Sequence, residues 1–218
     1  MKHLSFVIAA LLALGTVTSL PAHAIEVSPL GMIHAPSQRV GNVTLRNSAT
    51  TPKTYQLSAE RWTLENGVQV RTPSQDIRFA PAVITIPPGG AQTVRYALRT
   101  DPAGSELAYR ITVREIVGPE AKPNQLGLIM AMHMDFPYFW RSPDSSPSLS
   151  ARWDGDELVV RNSGTATAQL SDLTAGAVKK GGLVGYVLPG EERRIRIEGG
   201  NGSVTVRVNG KDQSLAVQ

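Results

Sequence analysis

The stretch Leu107-Ala-Tyr-Arg-Ile-Thr-Val-Arg-Glu-Ile116 sets Tyr109, Ile111 and Val113 at alternate positions, with Arg110, Thr112 and Arg114 between them. A period of two places the apolar set on one face of an extended chain and the polar set on the other, which predicts a strand buried on one side. The same alternation recurs elsewhere. Val43 and Leu45 flank Thr44; Tyr55, Leu57 and Ala59 alternate with Gln56 and Ser58; Val94, Tyr96 and Leu98 alternate with Thr93, Arg95 and Arg99. Turn formers separate these runs: Asn66-Gly67, Pro87-Pro88-Gly89-Gly90 and Pro102-Ala103-Gly104. Asn-Gly suits a two-residue hairpin turn, whose central residues both need positive φ. No segment sustains a 3.6-residue period, so the expected class is all-β, built of antiparallel sandwiches.

Composition agrees. Of 218 residues, 41% are hydrophobic and 18% charged, with 20 Gly and 15 Pro, too apolar for a disordered chain and rich in turns. The net charge of +4 is scattered, with no basic run interleaved with aromatics, so no nucleic-acid partner is expected. The absence of Cys excludes a disulfide framework, a thiolate nucleophile and Cys-ligated zinc. At the N-terminus, Lys2 and His3 precede the apolar run Leu4–Leu14, and Ala22-His23-Ala24 follows. That is the pattern of a secretory signal peptide over residues 1–24. Thr16, Thr18, Ser19 and Pro21 cut the apolar run short of the roughly 20 residues a membrane span needs. An exported mature chain with no direct membrane insertion is therefore expected, and its His residues are His34 and His133.

A composition break falls at Arg141–Ser150, RSPDSSPSLS, after which the earlier pattern restarts. Val43-Thr-Leu-Arg-Asn-Ser48 is echoed by Leu158-Val-Val-Arg-Asn-Ser163. Pro88-Gly89 and Thr93-Val-Arg-Tyr96 are echoed by Pro189-Gly190 and Arg194-Ile-Arg-Ile197, and Tyr109–Val113 by Ser203-Val-Thr-Val-Arg207. Three echoes in one order predict two related sandwiches in tandem: one over 25–142, a linker at 143–150, and a smaller one over 151–218 that leans on the first.

Catalytic chemistry finds little footing. A Ser-His-Asp triad would have to use His34 or His133, and there is no G-x-S-x-G elbow. Asp and Glu are scattered, and Gly199-Gly200-Asn201-Gly202 reads as a turn rather than a phosphate loop. No enzyme, no cofactor and no metal site are expected. The unusual segment is Gln125–Arg141, QLGLIMAMHMDFPYFWR. Its even positions are Leu126, Leu128, Met130, Met132, Met134 and Phe136; its odd positions include Gly127, Ala131, His133 and Asp135. Three readings stay open: a core strand, a copper site using Met130, Met132, His133 and Met134, or a strand that donates its apolar face to another protein. Against copper, His133 falls on the face opposite the three Met.

Several motifs together resemble a known family. Phe79-Ala-Pro81, Ile86-Pro-Pro88-Gly89 and Gln92-Thr-Val-Arg95, then Leu107–Ile116 ending in Arg-Glu-Ile, then the alternating segment closing at Phe139-Trp140-Arg141-Ser142-Pro143, are similar to the PapD-like periplasmic chaperones of the chaperone–usher pathway. The Tyr109-Arg110 pair and the Met-rich strand resemble its archaic branch. The resemblance implies two immunoglobulin-like sandwiches arranged as a boomerang. It further implies that pilus or fimbrial subunits are bound in the periplasm by an edge strand and delivered to an outer-membrane usher. Leu126, Leu128, Met130 and Met132 would then enter the client groove, with Val117–Asn124 as a mobile lead-in.

One departure matters. The family's best-studied members hold a client's C-terminal carboxylate with an Arg on the first strand and a Lys on the donor strand. Here those positions align with Gly31 and Pro137. Arg110 is the expected substitute, with Arg141 as runner-up and Arg95 and Arg114 less favoured. Two other functions remain as alternatives: a periplasmic copper-binding protein, and a secreted structural or adhesive sandwich without a client.

Overall fold

The computed structural model describes residues 25–102, 104–119 and 127–217, so the expected signal peptide lies outside the described residues. Seventeen strands and no helix occur among the described residues, and no helix there is long and apolar enough to cross a membrane. Ten strands build the first sandwich. One sheet joins β1 (Ile25–Ser28), β3 (Val40–Asn47), β8 (Ala91–Leu98) and β6 (Ile77–Ala80) in that order. The other runs β2 (Met32–His34), β10 (His133–Trp140), β9 (Leu107–Ile116), β4 (Lys53–Glu65), β5 (Val68–Ser74), with β7 (Val83–Ile86) pairing with the first part of β4. The second sandwich packs β11 (Leu149–Asp154), β12 (Glu157–Asn162) and β15 (Glu192–Arg196) against a sheet of β14 (Val178–Val187), β13 (Ala168–Ala175), β16 (Val204–Val208) and β17 (Lys211–Leu215). The β4–β5 hairpin turns at Asn66 (φ 53°) and Gly67 (φ 78°), both left-handed as the Asn-Gly pair requires.

Each sandwich has its own core. Val43, Leu45, Tyr55, Leu57, Val94, Tyr96, Tyr109, Ile111 and Trp140 belong to the first, and Leu158, Val160, Leu170, Leu173, Ile195 and Val206 to the second. A third cluster joins the two: Trp62, Ala108 and Phe139 from the first half meet Leu188 and Tyr186 from the second. This joint corrects the simple alternation expected of β9. Ala108 and Arg110, on the face away from the first core, are buried as well, because Leu188 packs against Ala108 and Tyr186 stacks with Arg110.

The internal echo is repeated in hydrogen bonds. Asn47 donates its side-chain amide to Thr51 O (2.8 Å) and Ile86 O (3.0 Å), and its Oδ1 accepts from the Ala49 amide (3.0 Å). Asn162 donates to Ala166 O (2.8 Å) and Val187 O (2.9 Å), and its Oδ1 accepts from the Gly164 amide (3.0 Å). Each Asn is fully buried at the end of a strand, where the chain turns away and leaves backbone groups without ladder partners. The side chain supplies those partners in both halves.

Candidate functional site

β10 pairs with β9 along its whole length, but β2 covers its other edge only at Tyr138, Phe139 and Trp140. In an antiparallel ladder, alternate residues turn their N–H and C=O groups to opposite sides. Met132 C=O accepts from the Glu115 amide (2.8 Å), so the even positions face β9. The backbone groups of His133 and Asp135 then face an edge that no strand among the described residues occupies, while the carbonyl of Pro137 is turned to the start of β2. Pro137 fits there because the N–H it lacks would point at that open edge, leaving the β9 ladder complete.

The side chains change environment along the same segment. Phe136, Tyr138 and Trp140 are buried in the first core, and Met134 packs partly against it. At the preceding even positions Met132 is 37% exposed, Met130 78% and Leu128 56%. Leu126, and residues 120–124 of the expected lead-in loop, lie outside the described residues. The strand expected from Gln125 is regular only from His133. β9 ends at Ile116, and the register that sets Arg114 opposite His133 leaves nothing across from the residues before Ala131. A core strand is therefore the wrong description of Leu128, Met130 and Met132. They form an exposed apolar run continuous with a buried one.

On the face turned away from the core, Arg110 stands opposite Pro137, and Pro137 stands beside Gly31. A Cβ on Gly31 would lie 3.1 Å from Pro137 O, and its φ of 150° disfavours any side chain. A side chain at position 31 is therefore strained, and the cation of this row is Arg110. Its guanidinium carbon lies 5.1 Å from the Trp62 ring centre and 5.7 Å from that of Tyr186, so it spans the two sandwiches. It forms an ion pair with Asp135, which also takes Arg71 from β5. Burial pushes the Asp135 carboxyl up, but hydrogen bonding and charge from Arg110, then Arg71, outweigh it and hold the group below the ordinary carboxylate value.

The other expected cations are placed elsewhere. Arg141 donates to Glu106 (3.0 Å) and to Thr167 O (3.3 Å), while Glu106 accepts from the Thr167 amide (3.0 Å), so this group ties the sandwiches together. Arg95 is exposed on the opposite sheet, and Arg114 donates to Gln56 Oε1 (2.8 Å). Sequence reasoning missed Arg71 and Gln69, which share one face of β5. Gln69 donates to Tyr186 O (2.9 Å) and to the buried Glu191 carboxylate (2.8 Å), locking the hairpin to the second sandwich. The available signal was the alternation of polar and apolar residues in Val68-Gln-Val-Arg71. The copper alternative is not favoured: Met134 packs into the core while Met130 stands in solvent, so the sulfurs do not converge.

No curated protein matches the chain by sequence. Among solved structures, the fold is similar to a chain of the CsuC–CsuE chaperone–tip adhesion subunit complex from archaic Csu pili of Acinetobacter baumannii, at 18% identity over 89% of this chain and 99% of that one, with a TM-score of 0.73. A chain of the Salmonella enterica SafA pilin–SafB chaperone complex matches at 16% identity over 90% and 95%, TM-score 0.70. The E. coli chaperone DraB matches at 15% over 90% and 97%, TM-score 0.68. These likenesses establish the fold as two immunoglobulin-like sandwiches. The profile of the pili and flagellar-assembly chaperones, PapD N-terminal domain, matches residues 24–146, more than half of the sequence, and the chain belongs to that family.

Proposed function

We propose that the protein is a periplasmic, non-enzymatic chaperone that holds pilus or fimbrial subunits on the open edge of β10 and passes them to an outer-membrane usher. The observation that carries this reading is the pairing of an unoccupied strand edge with an exposed apolar run at Leu128, Met130 and Met132. A subunit with an incomplete sandwich exposes a groove and strand edges that would otherwise aggregate. A lent strand supplies both main-chain hydrogen bonds and alternate apolar side chains. Leu126 extends the same run in sequence. The chaperone–subunit complexes among the similar structures support the partner class, and their archaic member supports the branch. Arg110 takes the client's C-terminal carboxylate, since a guanidinium can hold both oxygens through parallel hydrogen bonds.

The test is co-expression with the subunit encoded beside the chaperone gene. Leu128→Asp and Met130→Asp are expected to abolish recovery of the subunit while leaving the chaperone's urea midpoint unchanged. Unfolding of those variants, or undiminished recovery, would contradict the reading.

A further inference from the structure

Arg110 and Arg71 converge on one carboxylate, each on a different oxygen of Asp135. Asp135 lies on β10 one same-face step from Pro137, beside the row where Gly31, Pro137 and Arg110 meet. It also lies on the segment whose outer edge is open, so a client strand running along β10 would pass next to it. We propose that in the client-free chain Asp135 occupies the place of the client's C-terminal carboxylate, making Arg71 a second carboxylate-binding residue and Asp135 a built-in competitor.

This inference rests on Arg110 being the anchor, and the surroundings support an exchange there. The Arg110 side chain is 10% exposed and fixed between two aromatic rings. Arg71 and Asp135 are 43% and 28% exposed, so both can move on the solvent side without disturbing the core. A tethered carboxylate competes at high effective concentration, so a client must offer more than charge alone. Only a terminus already aligned by strand pairing along β10 displaces it. The exchange thus makes carboxylate capture depend on correct seating of the strand and discriminates against stray anions.

The test uses the full chain and a defined probe, the peptide acetyl-Val-Thr-Val-Thr-Tyr, as the free acid and as the C-terminal amide. Asp135→Asn is expected to bind the acid about tenfold more tightly, and Arg71→Ala about tenfold more weakly, with the amide unchanged in both. Arg71→Lys should fall between wild type and Arg71→Ala. The amide affinity controls for folding of each variant. Unchanged or weaker acid binding by Asp135→Asn would overturn the competitor role, and unchanged acid binding by Arg71→Ala would overturn the second-residue role. Equal binding of acid and amide by wild type would instead remove the Arg110 anchor on which both stand. Failure of either form to bind wild type or Asp135→Asn would remove the strand-edge site itself.

Discussion

Arg110 and Pro137 face each other across the β9–β10 ladder. The position at which the family's best-studied members carry a donor-strand Lys is therefore one strand away from a cation in this protein. Gly31, on the other side of Pro137, has a φ of 150° that strains any side chain, and a Cβ there would crowd Pro137 O. The positive charge of this row is Arg110, whose place between Trp62 and Tyr186 ties it to the joint between the sandwiches.

Truncating Arg110 removes a buried, charge-assisted contact. Arg110→Ala should weaken client binding by about 2–5 kcal/mol. Amidating the client's C-terminus should weaken wild type similarly and add nothing to the variant. Calorimetric titration of the four combinations checks this, and additive losses would place the carboxylate elsewhere.

Trp62 is the centre of the joint, buried against Phe139, Tyr186 and the Arg110 guanidinium. Trp62→Ala should cost about 3–5 kcal/mol by cavity formation. Because each sandwich keeps its own core, the denaturant transition should also split in two, read separately by near-ultraviolet circular dichroism and by fluorescence. A single sharp transition at the wild-type midpoint would show that the joint contributes nothing.

Asn47 and Asn162 predict paired losses. Replacing Asn47 with Ala takes the side-chain partner from buried Ile86 O and the Ala49 amide, and replacing Asn162 takes it from buried Ala166 O and Val187 O; each buried orphan costs about 1–3 kcal/mol. Asp should be no better than Ala, because a carboxylate cannot donate to Ile86 O or Val187 O. Urea midpoints of the four variants provide the check.

His34 makes stability depend on mild acid. Its ring is fully buried, stacked on Trp140 at 4.6 Å, with Nε2 hydrogen-bonded to the Tyr96 hydroxyl (3.0 Å). Burial pushes the imidazole below its ordinary value, and hydrogen bonding to Gln38 only partly opposes this. The unfolded chain, with an ordinary His near about 6.5, takes up the proton first as pH falls. The stability contributed by neutral His34 is thus fully present above that value and is lost as pH drops towards the folded pKa. Urea midpoints should fall between pH 7.5 and pH 5 in wild type, and this His34 component should be missing in His34→Gln. An equal slope in both proteins would assign the effect to another group.

Much of the fold was legible because alternation reports one buried face, and because the echo of Val43–Ser48 in Leu158–Ser163 reported two related halves. The limits have physical causes. Leu126 to Phe136 alternates identically throughout, so pattern alone could not separate the buried Phe136 from the exposed Met130. That boundary is set by where β9 ends, at Ile116. The burial of Arg110 was hidden because its cover, Trp62 and Tyr186, comes from distant parts of the chain. Arg71 escaped notice because its partner Asp135 lies three strands away across the sheet.

The most direct test of strand lending is residue-resolved amide exchange across β10, with and without a bound subunit. The N–H groups of His133 and Asp135 face the open edge, while those of Met134 and Phe136 face β9. His133 and Asp135 should exchange quickly in the free protein and slow by at least about a hundredfold in the complex, as backbone hydrogen bonds form. Met134 and Phe136 should be protected in both states. Unchanged exchange at His133 and Asp135 in a saturated complex would mean that the subunit binds without pairing to this edge, which contradicts the account.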